Sequence, residues 1–522
     1  MNRATVFLAL LIFSLPAFPV RTNAETSETS DPTAIRVTPP APRFSDAERQ
    51  AELARRRTAV AKQMADNSVL ILFSAEPKIY TGDIDFLYRQ ENNLYYLTNL
   101  KQNGATFVMT KTDAGVQEFL FLPKRSPQYE AWNGRMYSNE EAAKISGLKT
   151  IISSSEKDKF LNDLKNQTSF TAENKITIPN AKTIYLLLPE GETDSKGMRE
   201  FRQENEFSKT LSNYKIENAQ EIFAGLRLIK SPYEIKLLQH AIDITTEALM
   251  RSMATAKNSK YEYESQAELE YIFRKRNADY WGFPSIVGCG PNATTLHYEE
   301  SQSPVKPGEL LLMDVGAEYD HYTADITRTF PVSGTFSKEQ REIYKIVYDA
   351  QDAAAAKIKP GAYYFEPEAA AAKTIEEGLA KLGLIEGVGS FLPGTEREVP
   401  DGKGGKRKVG IPQWTIWFIH GWGHWLGMNV HDVGDYSVKF APGMVTTNEP
   451  GIYIREDALD YFDDTPRAKE FIAKIRPAFE KYKNIGVRIE DDMLVTGSGV
   501  KWMTKNLPRK PEDIESFMAQ AK

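Results

Sequence analysis

The sequence predicts a mixed α/β (α+β) chain of two unequal domains, and three observations carry that expectation. Between Ser45 and about Gln220, apolar strand-like runs alternate with helical stretches, the pattern of an α/β layer. From Ser231 onward a unit of helix, helix and hairpin occurs twice, which predicts an internal pseudo-twofold repeat. The 522 residues, 41% hydrophobic and 26% charged, suffice for more than one core. A net charge of −6 argues against a nucleic-acid or anionic-membrane partner. Cys289 is the single cysteine, so an intramolecular disulfide and a thiolate metal cluster are excluded; beside Gly288 and Gly290 it reads as a small buried residue.

Residues 1–24 read as an export signal. Arg3 opens an apolar run, and Thr22-Asn23-Ala24 supplies small residues for cleavage before Glu25. The run is short for a membrane span, which needs about 20 residues. A periplasmic or secreted protein, off the membrane once the signal is cleaved, is the expectation. Residues 25–44, rich in Ser, Thr and Pro, read as an unstructured leader.

The first domain is expected over 45–222. It opens on a helix with Ser45 as N-cap and Glu48 three residues on, a capping box. The runs SVLILFS, NNLYYLTNL, ATFVMT, EFLFLP and TIYLLLP are expected as strands, with helices around EEAAKISGL and KDKFLNDLKN. The aromatic residues Tyr95, Tyr96, Trp132 and Tyr137 are expected in core or interface, and no catalytic constellation is visible here.

The second domain is expected over 223–515. Ser231, Pro232 and Glu234 fit the N-cap, N1 and N3 positions of a helix continued by Ile235, Leu238, Ile242, Thr245 and Leu249. Ser337 and Gln340 begin its counterpart. Each opening helix is followed by a tyrosine-and-glutamate loop, YEYES or YYFEPE, and a second helix.

Each half then reaches a hairpin that carries acids. In LLLMDVGAEYDHYTADITRTFP, from Leu310 to Pro331, a two-residue turn at Tyr319-Asp320 would set Glu318 opposite His321 and Asp314 opposite Asp325. Opposed side chains sit about 4.5–5.5 Å apart at Cβ, where like charges repel. The pair is either exposed on an edge or buried, and burial would require a proton or a cation between the two. Lys306-Pro307-Gly308 precedes Asp314 as Ala441-Pro442-Gly443 precedes Glu449, with the acid six residues after the glycine both times. Each Pro-Gly follows a histidine at similar distance, His297 before Pro307 and His431 before Pro442. The second return strand, NIGVRIEDDMLV, puts Arg488 and Glu490 on one face.

The chain has six histidines, three of them in HGWGHWLGMNVH: His420, His424 and His431. Gly421 and Gly423 argue against a helix there, and no glutamate follows the first histidine, so a zinc-protease helix is rejected. Four carboxylates and an imidazole form an oxygen-rich set suited to manganese, cobalt, iron or zinc rather than copper. Four negative charges balance two divalent ions, which can share a bridging hydroxide as nucleophile. Hydrolysis of an amide is the chemistry this set fits.

The segments LLLMDVGAEYDHYTADITRTF, HGWGHWLGMNVHDVG, TTNEPGIYI and VRIEDDMLV closely resemble the Xaa-Pro aminopeptidase (aminopeptidase P) and prolidase family of pita-bread metallopeptidases. The likeness covers essentially all of residues 228–507, and FLYRQENNLYYLTNL and YEAWNGRMYS resemble the family's N-terminal domain. It implies Asp314, Asp325, His424, Glu449 and Glu490 as ligands of two divalent metals, manganese first, with Asp325 and Glu490 bridging. It implies that Glu449 also exchanges protons with the attacking water. His297 and His431 would contact the scissile peptide, His420 would line the pocket for proline, and Arg488 would steady the carboxylates. The substrates implied are peptides with proline second, and the assembly a homo-oligomer, dimer or tetramer. Prolidase action on Xaa-Pro dipeptides and a non-catalytic peptide-binding module are the alternatives.

Two departures stand out. Trp422-Gly423 fills a place where relatives often carry a hydroxyl, and long insertions occupy roughly 386–413 and 456–483. Lys403, Lys406, Arg407 and Lys408 make the first insertion basic. It is expected either as a solvated loop or as an attractor for the terminal carboxylate of short substrates.

Overall fold

The structure is a computed structural model that describes residues 34–172, 176–178, 181–191, 193–400 and 405–521. The export segment, residues 25–33 of the leader and Lys403 lie outside the described residues. Residues 34–44 form no helix or strand, yet they are not a free leader. Thr38 donates through both its N–H and its hydroxyl to Glu247 Oε2, at 2.7 and 2.6 Å. The Phe44 ring stacks on Tyr233 at 3.7 Å. Low hydrophobicity misled here because a few polar contacts and one ring stack, all to a helix about two hundred residues away, suffice to hold the segment.

The first domain is built on a mixed six-stranded sheet. Its order is Lys215–Asn218, Thr183–Leu186, Ser68–Phe73, Thr106–Thr112, Gly115–Leu122 and Ile151–Ser153. The two central pairs are antiparallel and the outer ones parallel. Alternation along Ser68–Phe73 sends Val69, Ile71 and Phe73 to one core and Leu70 and Leu72 to another. That second core runs on without a break into the second domain. The helix Asp46–Gln63 has the expected capping box.

NNLYYLTNL is not a strand. Asn92–Thr98 is a helix, begun by the Glu91 carboxylate, which accepts from the N–H groups of Asn93 and Leu94, and ended by Asn99 in the left-handed region. All seven residues are buried, so no solvent face exists to impose a period, and a short apolar run does not distinguish helix from strand. Tyr95 and Tyr96 lie in the core, whereas Trp132 is 85% exposed, which leaves it only the interface alternative.

In the second domain the repeat is real. Pro232–Thr255 and Lys338–Ala355 each carry a capping box. YEYES and YYFEPE do not stay loops: they lead into and form the first turns of Glu262–Lys275 and Phe365–Leu382. The acid-bearing strands follow. Leu310–Val315 pairs antiparallel with Ile326–Pro331, and Val445–Asn448 with Asp491–Val495. Gly451–Tyr453 pairs with Gly486–Arg488.

The first hairpin is shifted from the expected register by one residue per strand. Tyr319 opposes Tyr322, and Asp314 opposes Thr327 rather than Asp325. The turn residues are Asp320 and His321, both at positive φ, +51° and +68°. Such a turn matches strand twist, and aspartate tolerates it better than tyrosine does. Asp325 instead lies opposite Gly316, in the gap between the pairs Val315–Ile326 and Ala317–Ala324. A Cβ on Gly316 would sit 1.8 Å from the Ala324 carbonyl oxygen, so only glycine permits this crossing.

Both insertions carry regular elements among their described residues. Residues 456–483 hold the helix Pro466–Tyr482, whose Phe471, Ile475 and Phe479 enter the core. Residues 386–413 hold a hairpin of Arg397–Pro400 and Lys406–Val409, where Lys406 pairs with Glu398 at 3.0 Å.

Candidate metal and active site

The two acid-bearing hairpins and the histidine segment meet at one buried cluster. Residues 417–444 contain no helix or strand, as the glycines predict. Gly423 is needed there: a Cβ would come within 2.5 Å of the Thr447 carbonyl oxygen. This close approach lets Thr447 Oγ1 accept from the His424 N–H at 3.0 Å and donate to Glu449 Oε1 at 3.1 Å. Trp422 is buried against Tyr364 and Phe440, so it fills core and does not face the carboxylates.

His424 Nδ1 lies 3.1 Å from the Trp425 carbonyl oxygen. A carbonyl only accepts, so Nδ1 carries the proton and Nε2 presents a lone pair. That lone pair points at Asp325 Oδ2, 3.2 Å away, and at Glu449 Oε1, 3.3 Å away. Ligand atoms of Asp325, His424 and Glu490 lie within 4.8 Å of one another. Three acceptors at such distances repel unless a proton or cation sits among them. Burial, with Glu490, Asp314 and Glu449 nearby, holds the Asp325 carboxyl well above its usual range. Burial with Glu449 and Asp314 does the same to Glu490. Glu449 is pushed up to about 8, by burial first. His424 is pushed down to about 4, again by burial first.

Two oxygens decide what the cluster is for. Asp314 Oδ1 and Asp325 Oδ1 are buried with no hydrogen-bond partner. Native proteins rarely leave such atoms unsatisfied unless something absent completes them. Hard oxygen donors around one imidazole nitrogen fit a divalent cation.

Arg488 is the cation already present. It donates to Asp314 Oδ2 at 2.5 Å, to Thr327 Oγ1 at 3.1 Å and to the Tyr453 hydroxyl at 2.8 Å. Thr327 Oγ1 in turn donates to Glu490 Oε2 at 2.6 Å. His420 Nδ1 bonds the Gly421 carbonyl oxygen, so its Nε2 accepts from the Tyr453 hydroxyl at 2.7 Å. Burial pushes His420 down to about 3, which keeps it neutral. His431 is exposed and sets its ring edge-on to His424, 4.3 Å between centroids. His297 is exposed.

Of the nine residues singled out in the sequence, Asp314, Asp325, His420, His424, Glu449, Glu490 and Arg488 meet in this cluster, with His431 against His424 and His297 exposed. Tyr453, Thr327 and Thr447 were not expected in it. A period of two was their signal: Thr327 lies two beyond Asp325, and Tyr453 four beyond Glu449. Asp492 was missed as well; its Oδ2 accepts the Asp325 N–H at 3.2 Å.

Comparison with known proteins agrees. Residues 236–497 match the model of metallopeptidase family M24, and residues 53–171 that of the aminopeptidase P N-terminal domain. The chain is 34% identical to the Xaa-Pro aminopeptidase of Haemophilus influenzae over 472 residues, 90% of this chain and 97% of that one. It belongs to the Xaa-Pro aminopeptidases of family M24. A structure of a putative aminopeptidase P from Bacillus anthracis matches this aminopeptidase at a TM-score of 0.75 and 30% identity, covering 91% of this chain and 99% of the other. Escherichia coli aminopeptidase P with the inhibitor Pro-Leu matches at 0.72 and 29%, covering 92% and 99%. The expected fold, a pita-bread catalytic domain behind a smaller α/β domain, is thereby established, and the protein is a metallo-aminopeptidase.

Proposed function

We propose that the enzyme hydrolyses the Xaa-Pro bond at the N-terminus of peptides at a site for two divalent ions, manganese foremost. Asp314, Asp325, His424, Glu449 and Glu490 would hold the ions. The observation that carries this reading is the pair of buried carboxylate oxygens without partners beside the lone pair of His424 Nε2. When bound, the two ions supply an activated water and polarise the scissile carbonyl.

The remaining work belongs to side chains. Glu449, oriented by the Thr447 hydroxyl, takes the proton released by water and passes it to the leaving proline nitrogen. His297 and His431, exposed at the rim, hold the peptide carbonyl and its developing charge. His420, held neutral and in one tautomer by Tyr453 and Gly421, lines the proline pocket. Arg488 keeps Asp314 in place.

The test is hydrolysis of Xaa-Pro and Xaa-Pro-Yaa-Zaa peptides by protein stripped of metal and reloaded ion by ion, with content measured by elemental analysis. Restoration by manganese at two ions per chain is expected, and full activity without metal refutes the mechanism. Cleavage of the dipeptide alone would make the enzyme a prolidase. Export is part of the proposal and rests on residues 1–24; a mature protein starting at Glu25 outside the cytoplasm is the expected result of N-terminal sequencing. A homo-oligomer is proposed too, supported by Ile79, Tyr80, Ile84, Phe86 and Leu87, all at least half exposed along one stretch, since clustered exposed apolar side chains mark interaction surfaces.

A further inference from the structure

The loop that carries His431 is held from outside its own domain. Residues 427–432 form no helix or strand, so their backbone groups need partners from elsewhere. Arg89 Nη2 donates to the Met428 carbonyl oxygen at 2.8 Å, and Asn92 Nδ2 donates to Asn429 Oδ1 at 2.7 Å. Both donors lie within the match to the aminopeptidase P N-terminal domain. They are fixed in turn: Arg89 Nη1 donates to Asn92 Oδ1 at 2.9 Å, and Arg89 Nε donates to Glu318 Oε2 at 2.8 Å.

A second anchor closes the loop. Asp432 donates its N–H to the Trp425 carbonyl oxygen at 2.9 Å. Its carboxylate takes Arg227 Nη2 at 2.5 Å and Lys230 Nζ at 3.4 Å, all three residues being buried. Arg227 Nη1 donates to Asn93 Oδ1 at 2.9 Å, which returns the chain of contacts to the helix Asn92–Thr98. Gly427 leaves the room required, since a Cβ there would lie 2.1 Å from Asp432 Oδ2. His431 sits between the two anchors with its own ring exposed.

From these contacts we infer that Arg89 and Asn92 of the N-terminal domain are positioning residues for catalysis, acting through the 427–432 loop to hold His431 at the metal site. The inference rests on the reading that His431 contacts the reacting peptide. A misplaced hydrogen-bonding group loses most of its transition-state stabilisation while ground-state binding barely changes. The N-terminal domain thus contributes to turnover without touching substrate.

The experiment uses the full metal-loaded chain with Asn92→Ala, His431→Ala and the double variant. Asn92→Ala is expected to lower kcat about tenfold, roughly 1.4 kcal/mol, with KM and metal content unchanged. In the His431→Ala background it is expected to add nothing. An equal loss in both backgrounds, or an unchanged kcat with a lowered Tm, overturns the inference. Amide hydrogen exchange is read alongside: Asn92→Ala should speed exchange at 427–432 and spare 445–448. If His431→Ala leaves kcat intact, the assigned role of His431 fails, and faster loop exchange then still upholds the grip itself. Unchanged exchange at 427–432 refutes the grip whatever His431 does. Arg89→Lys, which keeps charge but loses the guanidinium fork, should reproduce the exchange effect.

Discussion

The two halves of the catalytic domain present the same four backbone positions with different chemistry. In the first hairpin Asp314 opposes Thr327, and Asp325 lies opposite Gly316. In the second, the pairs Asn448–Asp491 and Gly451–Arg488 bracket Glu449 and Glu490, which therefore oppose each other. Glu449 thus corresponds to Asp314, Gly451 to Gly316, Glu490 to Thr327 and Arg488 to Asp325. Where one half has an acid, the other has an arginine; where one has a hydroxyl, the other has an acid. The two halves touch across the pseudo-twofold: Thr327 bonds its counterpart Glu490, and Arg488 bonds both Thr327 and Asp314. A symmetric set would crowd like charges together. The asymmetry lets four carboxylates converge with one fixed cation among them.

Removing an acid breaks this arrangement most completely. Asp325→Ala or Glu490→Ala should abolish metal retention and reduce kcat/KM by on the order of 10^3-fold or more, because both acids lie with His424 at the centre of the proposed metal site. Elemental analysis and peptide hydrolysis measure the two losses. Arg488→Ala tests the cation: a 10–100-fold loss in metal affinity or activity, about the range for groups that orient ligands, is expected in competition titrations.

The paired glycines sharpen the comparison. Gly316→Ala meets a backbone oxygen, which has nowhere to go, whereas a Cβ on Gly451 meets the Tyr453 hydroxyl at 2.4 Å. Denaturant unfolding should find Gly316→Ala destabilising by about 1–3 kcal/mol and Gly451→Ala by less. The second variant should show its deficit in kcat instead, since Tyr453 holds His420.

The smallest effect concerns pH. In the metal-free chain, burial raises Glu449 to about 8 and holds Asp325 and Glu490 well above their usual range. Acids with raised folded-state values favour the folded chain when protonated, so this contribution is present below about pH 4.5 and lost as pH rises through 8. Metal-free protein should gain a few degrees in Tm between pH 8 and pH 6, while metal-loaded protein should not. Differential scanning calorimetry of both forms decides it.

Much was written locally in the chain. Capping boxes at Ser45, Ser231 and Ser337 specify helix starts because the N-cap side chain and the N3 side chain are neighbours in sequence. The repeated Pro-Gly before Asp314 and Glu449, their return strands and the cluster of scarce histidines pointed to Asp314, Asp325, Glu449, Glu490, His420, His424 and His431, but not to Asp492. Tertiary structure decided the rest. The helix Asn92–Thr98 is buried on all sides, so its run held no period to separate it from a strand. The first hairpin's register was fixed by Asp320 and His321 accepting positive φ and by Gly316 admitting a carbonyl, which spacing alone does not reveal. Thr447, Tyr453 and the grip of Arg89 and Asn92 on the histidine loop depend on contacts across as many as 339 residues. A sequence records which groups are available; their partners are set by packing, where a hydrogen bond requires an approach of about 3 Å.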